Sequence, residues 1–229
     1  MKSYYLMTFR NPFLLVSHYV LPIAFYLLFS IVLTAINETA KSSLIIDMAV
    51  FAILMSSYIG LPGSVTRYVH GDIKKAYCAS RIRLWHVFLS IGINNIVHCI
   101  IVTFVISATA PMIFGATTPN FVSFFLAVSL GIVSSTLIGL LIGMCSKSES
   151  ISIVVSQLFF LPSIFLSGIM FDDSLLPDSI REISFILPAK HILSIYDNTV
   201  MQTFFPLIIL IVIVLLVLFA RYRFILNQE

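Results

Sequence analysis

The chain has 229 residues, 59% of them hydrophobic and only 10% charged, with a mean hydropathy of +1.07. A soluble domain is about a quarter charged, so this composition excludes one and marks an integral membrane protein. Thirteen Lys and Arg against ten Asp and Glu leave a net charge of +3, spread over loops, which supplies no nucleic-acid-binding face.

A membrane span needs about 20 mostly apolar residues. Six stretches meet or approach this, at residues 19–36, 44–61, 85–110, 121–145, 151–170 and 204–220. Lys2 and Arg10 precede the first in the manner of a signal peptide. The apolar run then continues to Ile36 with no A-x-A site, so an uncleaved first span is expected. Pro22 falls in the first turn of span one, Pro62 and Pro111 are expected to close spans, and Pro119 and Pro206 to open them. Pro162, inside span five, is expected to bend it or free a carbonyl. With the N-terminus inside, the inner segments collect ten Lys and Arg and the outer ones three, so both termini are predicted cytoplasmic. No internal repeat or linker divides the chain, which reads as one transmembrane domain over residues 1–229.

In span two, Asp47 sits one turn inside the outer end and reaches the interface there. The inner loop that follows, Gly63 to His86, carries five Lys or Arg and one Asp. Asp72 stands near a helix start, and Ile73, Ala76 and Tyr77 recur at helical spacing around Lys74 and Lys75. A short helix along the membrane is expected. Its charges are either positive-inside anchors beside the interfacial Tyr68 and Trp85 or a docking surface for a soluble subunit.

Span three carries a polar patch, Asn94, Asn95 and His98, suited to interhelical hydrogen bonds more than to a substrate. On span four, Gly131, Ser135, Gly139 and Gly143 repeat every fourth residue, a ladder that lets another helix approach closely. Cys78, Cys99 and Cys145 are widely spaced and imply no disulfide framework or CxxC metal site. His18, His70, His86, His98 and His191 lack metal-ligand spacing, and no Ser/His/Asp or Cys/His arrangement is defensible. No metal and no catalytic residue is expected.

Before the last span, SLLPDSIREISFILPAKH begins with Ser174 as a possible N-cap and Pro177 in the first turn, with Asp178 and Glu182 following. Leu176, Ile180, Ile183 and Leu187 line one face, and Pro188 is expected to stop the helix. From Pro177 to Leu187 such a helix reaches roughly 16 Å, about half of a ~30 Å hydrocarbon core. It enters one leaflet and must return, with a second piece from His191 to Tyr196 completing the loop before span six. The competing arrangement is an amphipathic helix lying flat on the outer surface.

Taken together, the inner-loop run SRIRLWH and the late pattern resemble the ABC-2 type transporter permease family. That pattern is Phe160, Leu161, Pro162, Phe165, Leu166, Ser167 and Gly168, then Leu176, Pro177, Leu187, Pro188 and His191. Asp172 and Lys190 stand where members often carry Pro and Thr.

The resemblance implies an all-α fold of six spans with an interfacial N-terminal helix over residues 1–18, a cytoplasmic coupling helix and a re-entrant pair over 172–196. It implies that Gly71, Asp72, Ile73, Lys74, Lys75, Ala76 and Tyr77, within the 63–84 loop, dock on an ABC ATPase. It makes Leu176, Pro177, Ile180, Ile183, Leu187, Pro188 and His191 an outer gate. Pro162, Phe165, Ser167 and Gly168 are the span-five signature.

The chain has no Walker A sequence, so ATP and Mg belong to the partner ATPase. A homodimer or heterodimer of permeases in lipid, in a bacterial cytoplasmic membrane, is implied. The expected function is export of an amphipathic or hydrophobic substrate, a peptide, drug or lipid-like molecule. Export of a lipid-linked polysaccharide, an ATP-independent transporter or channel, and a membrane scaffold are the competing readings.

Overall fold

A chain this apolar must satisfy its backbone hydrogen bonds within each segment, which in a bilayer leaves helices or a closed barrel. The computed structural model describes residues 15–36, 38–70, 84–170, 177, 182, 184–196 and 200–226. Among the described residues every regular element is helical. Helix α1 is Val16–Ile36, α2 Leu44–His70, α3 Leu84–Phe114, α4 Phe121–Cys145, α5 Glu149–Phe165, α6 Pro188–Tyr196 and α7 Val200–Leu226. Five of these, α1 to α4 and α7, are long and apolar enough to cross a membrane. The all-α membrane fold expected from composition is the one observed.

Two prolines expected at helix ends or starts lie inside continuous helix, for one shared reason. Pro62 does not close α2, which runs on to His70. A proline in a helix clashes with the carbonyl four residues back and cannot donate to it. In α2 that carbonyl is Tyr58's, and the turn Met55–Gly60 is opened to π geometry immediately before Pro62. The same device precedes Pro22 in α1, where Val16–Val20 is the wide turn. Both helices therefore absorb a proline without stopping.

Other boundaries also shift. Helix α3 passes Pro111 and stops at Phe114, before Gly115 at φ 65°, a left-handed conformation natural to glycine. Helix α5 starts at Glu149, where the Ser148 side chain accepts from the Ile151 N–H (3.3 Å), and stops at Phe165 instead of Met170. It is 17 residues long, about 25 Å against a ~30 Å core. Helix α7 begins at Val200, so Pro206 lies inside it.

Helix α2 is the core of the bundle. Leu44–Leu54 is buried on nearly every side, as expected of a helix that is apolar all round. The small-residue ladder of α4 explains how its neighbours come so close. A Cβ on Gly139 would stand 2.1 Å from the Ser57 carbonyl oxygen, and one on Gly143 2.7 Å from that of Pro62. The Thr66 hydroxyl sits 3.0 Å from the Pro62 carbonyl and 2.9 Å from that of Gly143. The ladder thus packs helices within the subunit.

Connections at the two ends are tied across helices. Thr117 N–H donates to the Lys41 carbonyl (3.1 Å), joining the α1–α2 and α3–α4 links. At the opposite end Arg67 makes a two-pronged ion pair with Glu149 (2.9 and 3.1 Å), joining α2 to α5.

Candidate functional site

Beyond α5 the chain turns at Ser167 and Gly168. Leu166 N–H donates to the Pro162 carbonyl (2.9 Å), the buried Ser167 hydroxyl lies 3.4 Å from the Ile164 carbonyl, and Gly168 takes φ 101°. No other residue adopts that φ comfortably. The signature residues Pro162, Ser167 and Gly168 thus act in ending α5, while Phe165 lies half exposed at its last position.

Leu176, Ile180 and Ile183, and the coupling residues Gly71, Asp72, Ile73, Lys74, Lys75, Ala76 and Tyr77, lie outside the described residues. Pro177 is exposed. Pro188 does not stop a helix: it is the first residue of α6, the position where a missing N–H costs least. A turn at Phe185–Leu187 leads into α6, closed by Leu187 N–H to the Ser184 carbonyl (3.0 Å) and Lys190 N–H to the Leu187 carbonyl (3.2 Å).

Helix α6 is inside the bundle. Ala189, Ile192 and Ile195 are wholly buried, and Ile192 fills the notch at Gly131 of α4. Gly131 is ten residues, about 15 Å, from the start of α4. His191 ties this turn, its Nε2–H donating to the Phe185 carbonyl (2.7 Å).

Beside this turn lies a cavity of about 440 Å³. Its roof is Ile186, Leu187 and Pro188, and its walls are α4 (Ile138, Leu141, Ile142), α5 (Val155, Phe159) and α7 (Leu210, Val214). Tyr58, Ser146 and Ser163 supply its few polar atoms. Apolar walls with sparse polar points are the usual make-up of a site for a hydrophobic ligand.

A second region, filled and polar, lies on the other side of α2. Ser56 donates to Asn95 Oδ1 (3.1 Å), so the contact between Ser56 and His18 Nδ1 (2.7 Å) requires the proton on that nitrogen. Asn95 spends both amide hydrogens, on Ser57 (3.0 Å) and Thr136 (2.9 Å). Asn94 donates to His98 Nε2 (2.9 Å), leaving Nδ1 of His98 to donate to the Tyr19 hydroxyl. The His18 and His98 rings stack at 4.8 Å. A Cβ on Gly60 would stand 2.6 Å from the His18 ring, so that glycine makes room for it.

Four helices meet here through satisfied groups: Asn95 and His98 bond to other helices, as expected, whereas the bond from Asn94 to His98 lies within α3. Sequence reading missed His18, Tyr19, Ser56, Ser57 and Thr136. Polar residues in apolar runs were the signal, but spacing along one helix does not reveal a partner on another. Among the described residues no three His, Cys, Asp or Glu side chains gather to hold a metal.

A family model described as ABC-2 type transporter matches residues 1–201. No curated protein and no solved structure matches the chain.

Proposed function

This chain belongs to the ABC-2 type transporter family and is therefore the membrane subunit of an ABC transporter whose ATPase is a separate chain; from that premise we propose that it exports an amphipathic or hydrophobic substrate. One observation carries the reading, the apolar cavity of about 440 Å³ beside the turn at Phe185–Leu187. Its carbon-lined walls suit a peptide, drug or lipid-like cargo and offer little to a hydrophilic ion. The burial of α6 beside the middle of α4 supports the segment from Leu176 to Leu193 as a re-entrant outer gate, and the bond from His191 to Phe185 as what holds its tip shut.

The motor acts from the opposite side. Gly71 to Tyr77 dock on the ATPase, which binds ATP and Mg, and nucleotide binding favours one arrangement of the bundle over the other, without which nothing is driven. The Lys and Arg bias supports this end as cytoplasmic, in a bacterial cell membrane with both termini inside. Ile151, Val154, Leu158, Leu161 and Phe165 form an exposed apolar stripe on α5 at alternating spacings of three and four. That stripe supports a pair of permeases meeting along α5.

Two experiments test the reading. Val155→Trp fills the cavity and is expected to abolish ATP-driven uptake of a labelled hydrophobic peptide into inverted vesicles while the protein's melting temperature stays within a few degrees; unimpaired uptake removes the cavity from the pathway. The combined change Ile73→Asp, Lys74→Glu and Lys75→Glu is expected to prevent co-purification with the ATPase, and retained ATPase binding refutes the docking assignment.

A further inference from the structure

A groove of about 490 Å³ opens laterally between α3, α4 and α7, on the far side of α4 from the cavity above. Its floor and walls include Phe88, Gly92, Leu137, Leu140, Leu218 and Phe219. Apart from the Tyr222 hydroxyl, its polar side chains bond internally: the Thr136 hydroxyl accepts from Asn95 (2.9 Å) and the Trp85 indole N–H donates to His86 (3.1 Å). A polar ligand finds nothing to bind in its depth.

Three observations identify the occupant. Along α3 the groove runs from Trp85 to Ile96, which at 1.5 Å per residue is about 16 Å, the depth of one leaflet. At its mouth stand Trp85 and Tyr222, side chains that favour the level of lipid headgroups. Two cations flank that mouth. Arg223 lies over the ring of Phe219, itself a groove wall, at 5.1 Å. Arg221 donates to the Met144 carbonyl (3.3 Å) and lies over Phe224 at 5.2 Å. Neither is ion-paired with a carboxylate among the described residues. Apolar depth of one leaflet, an aromatic collar and two cations at the collar match one molecule: a phospholipid with an anionic headgroup.

We propose that this groove is a binding site for an anionic phospholipid of the leaflet at the α7 C-terminal end, one acyl chain lying along α3 and the headgroup held at Arg221 and Arg223. The site is separate from the export pathway and stands whether or not that reading does.

Trp85 is the only tryptophan in the chain and reports directly on the groove. The full chain is reconstituted in phosphatidylcholine vesicles with increasing fractions of dibrominated phosphatidylglycerol or dibrominated phosphatidylcholine of the same chains, and Trp85 quenching is followed. Half-quenching is expected at about a thirty-fold lower fraction of the anionic lipid, at about 1 kcal/mol for each of the two cations. Arg223→Glu is expected to erase that gap while quenching persists. Leu137→Phe fills the groove and is expected to bring the two curves together; Val133→Phe on the rim serves if that variant does not fold. Coincident curves for the unaltered chain overturn the proposal by reducing the groove to ordinary boundary lipid. Absence of quenching by either lipid overturns it by showing the groove covered by another chain.

Discussion

A single wide turn of α2 serves two opposite environments. Ser56 and Ser57 face the filled polar cluster, whose hydrogen bonds tie α2 to α1 and α3, whereas Tyr58 faces the apolar cavity. At the cavity, Ser163 bonds to the Phe159 carbonyl of its own helix (2.7 Å), and among the described residues only the Tyr58 hydroxyl reaches other helices, at Ser135 and Ser163. The difference separates a fixed joint from a space. A satisfied polar network specifies one arrangement of α1 to α4 because any other leaves groups unpaired in hydrocarbon. An apolar wall has no such preference and accommodates many ligands.

Three substitutions probe that division. The largest effect is expected from Gly139→Ala, because the new Cβ would stand 2.1 Å from a backbone oxygen of the wide turn itself and neither backbone moves freely. Destabilisation of about 3 kcal/mol or more is expected, read as loss of monodisperse protein and a melting temperature lower by well over that of any change below.

Asn95→Leu comes second. It strands Ser56, Ser57 and Thr136 at once, for a cost of about 1–3 kcal/mol. A melting curve unchanged by it would show that the cluster is not the joint described. Ser146→Ala, at the cavity wall, is expected to change stability by no more than about 0.5 kcal/mol. Its hydroxyl bonds the same Ile142 carbonyl (2.7 Å) that its own N–H already reaches (3.0 Å). A large loss there would mean the cavity side is also held by polar contacts.

How much of this was legible beforehand differs by element. Helices α3, α4 and α7 were evident as apolar runs of membrane length, since a bilayer leaves a long apolar segment no other way to satisfy its backbone. The Gly131 to Gly143 ladder announced close packing, but not that Gly131 takes Ile192 while Gly139 and Gly143 take α2. Pro62 misled because proline is ordinarily read as a stop, and only the widened turn before it lets α2 continue. Pro188 misled the other way, starting a helix where a stop was expected. The segment holding Pro177, Leu187, Pro188 and His191 was recognisable as an interruption between long apolar runs, yet the bond that ties its turn joins the His191 side chain to a carbonyl six residues away.

Composition and periodicity along the chain determined that this is a helical membrane protein, roughly where its helices run, and that its late segment departs from simple crossing. Those properties follow from each segment's own exchange of water for lipid. Which helix sits at the centre, how His18 comes to stack on His98, and where a cavity remains between α4, α5 and α7 were decided only by tertiary structure. Contacts between residues eighty positions apart depend on how all the surfaces fit together, and no local stretch of sequence contains that fit.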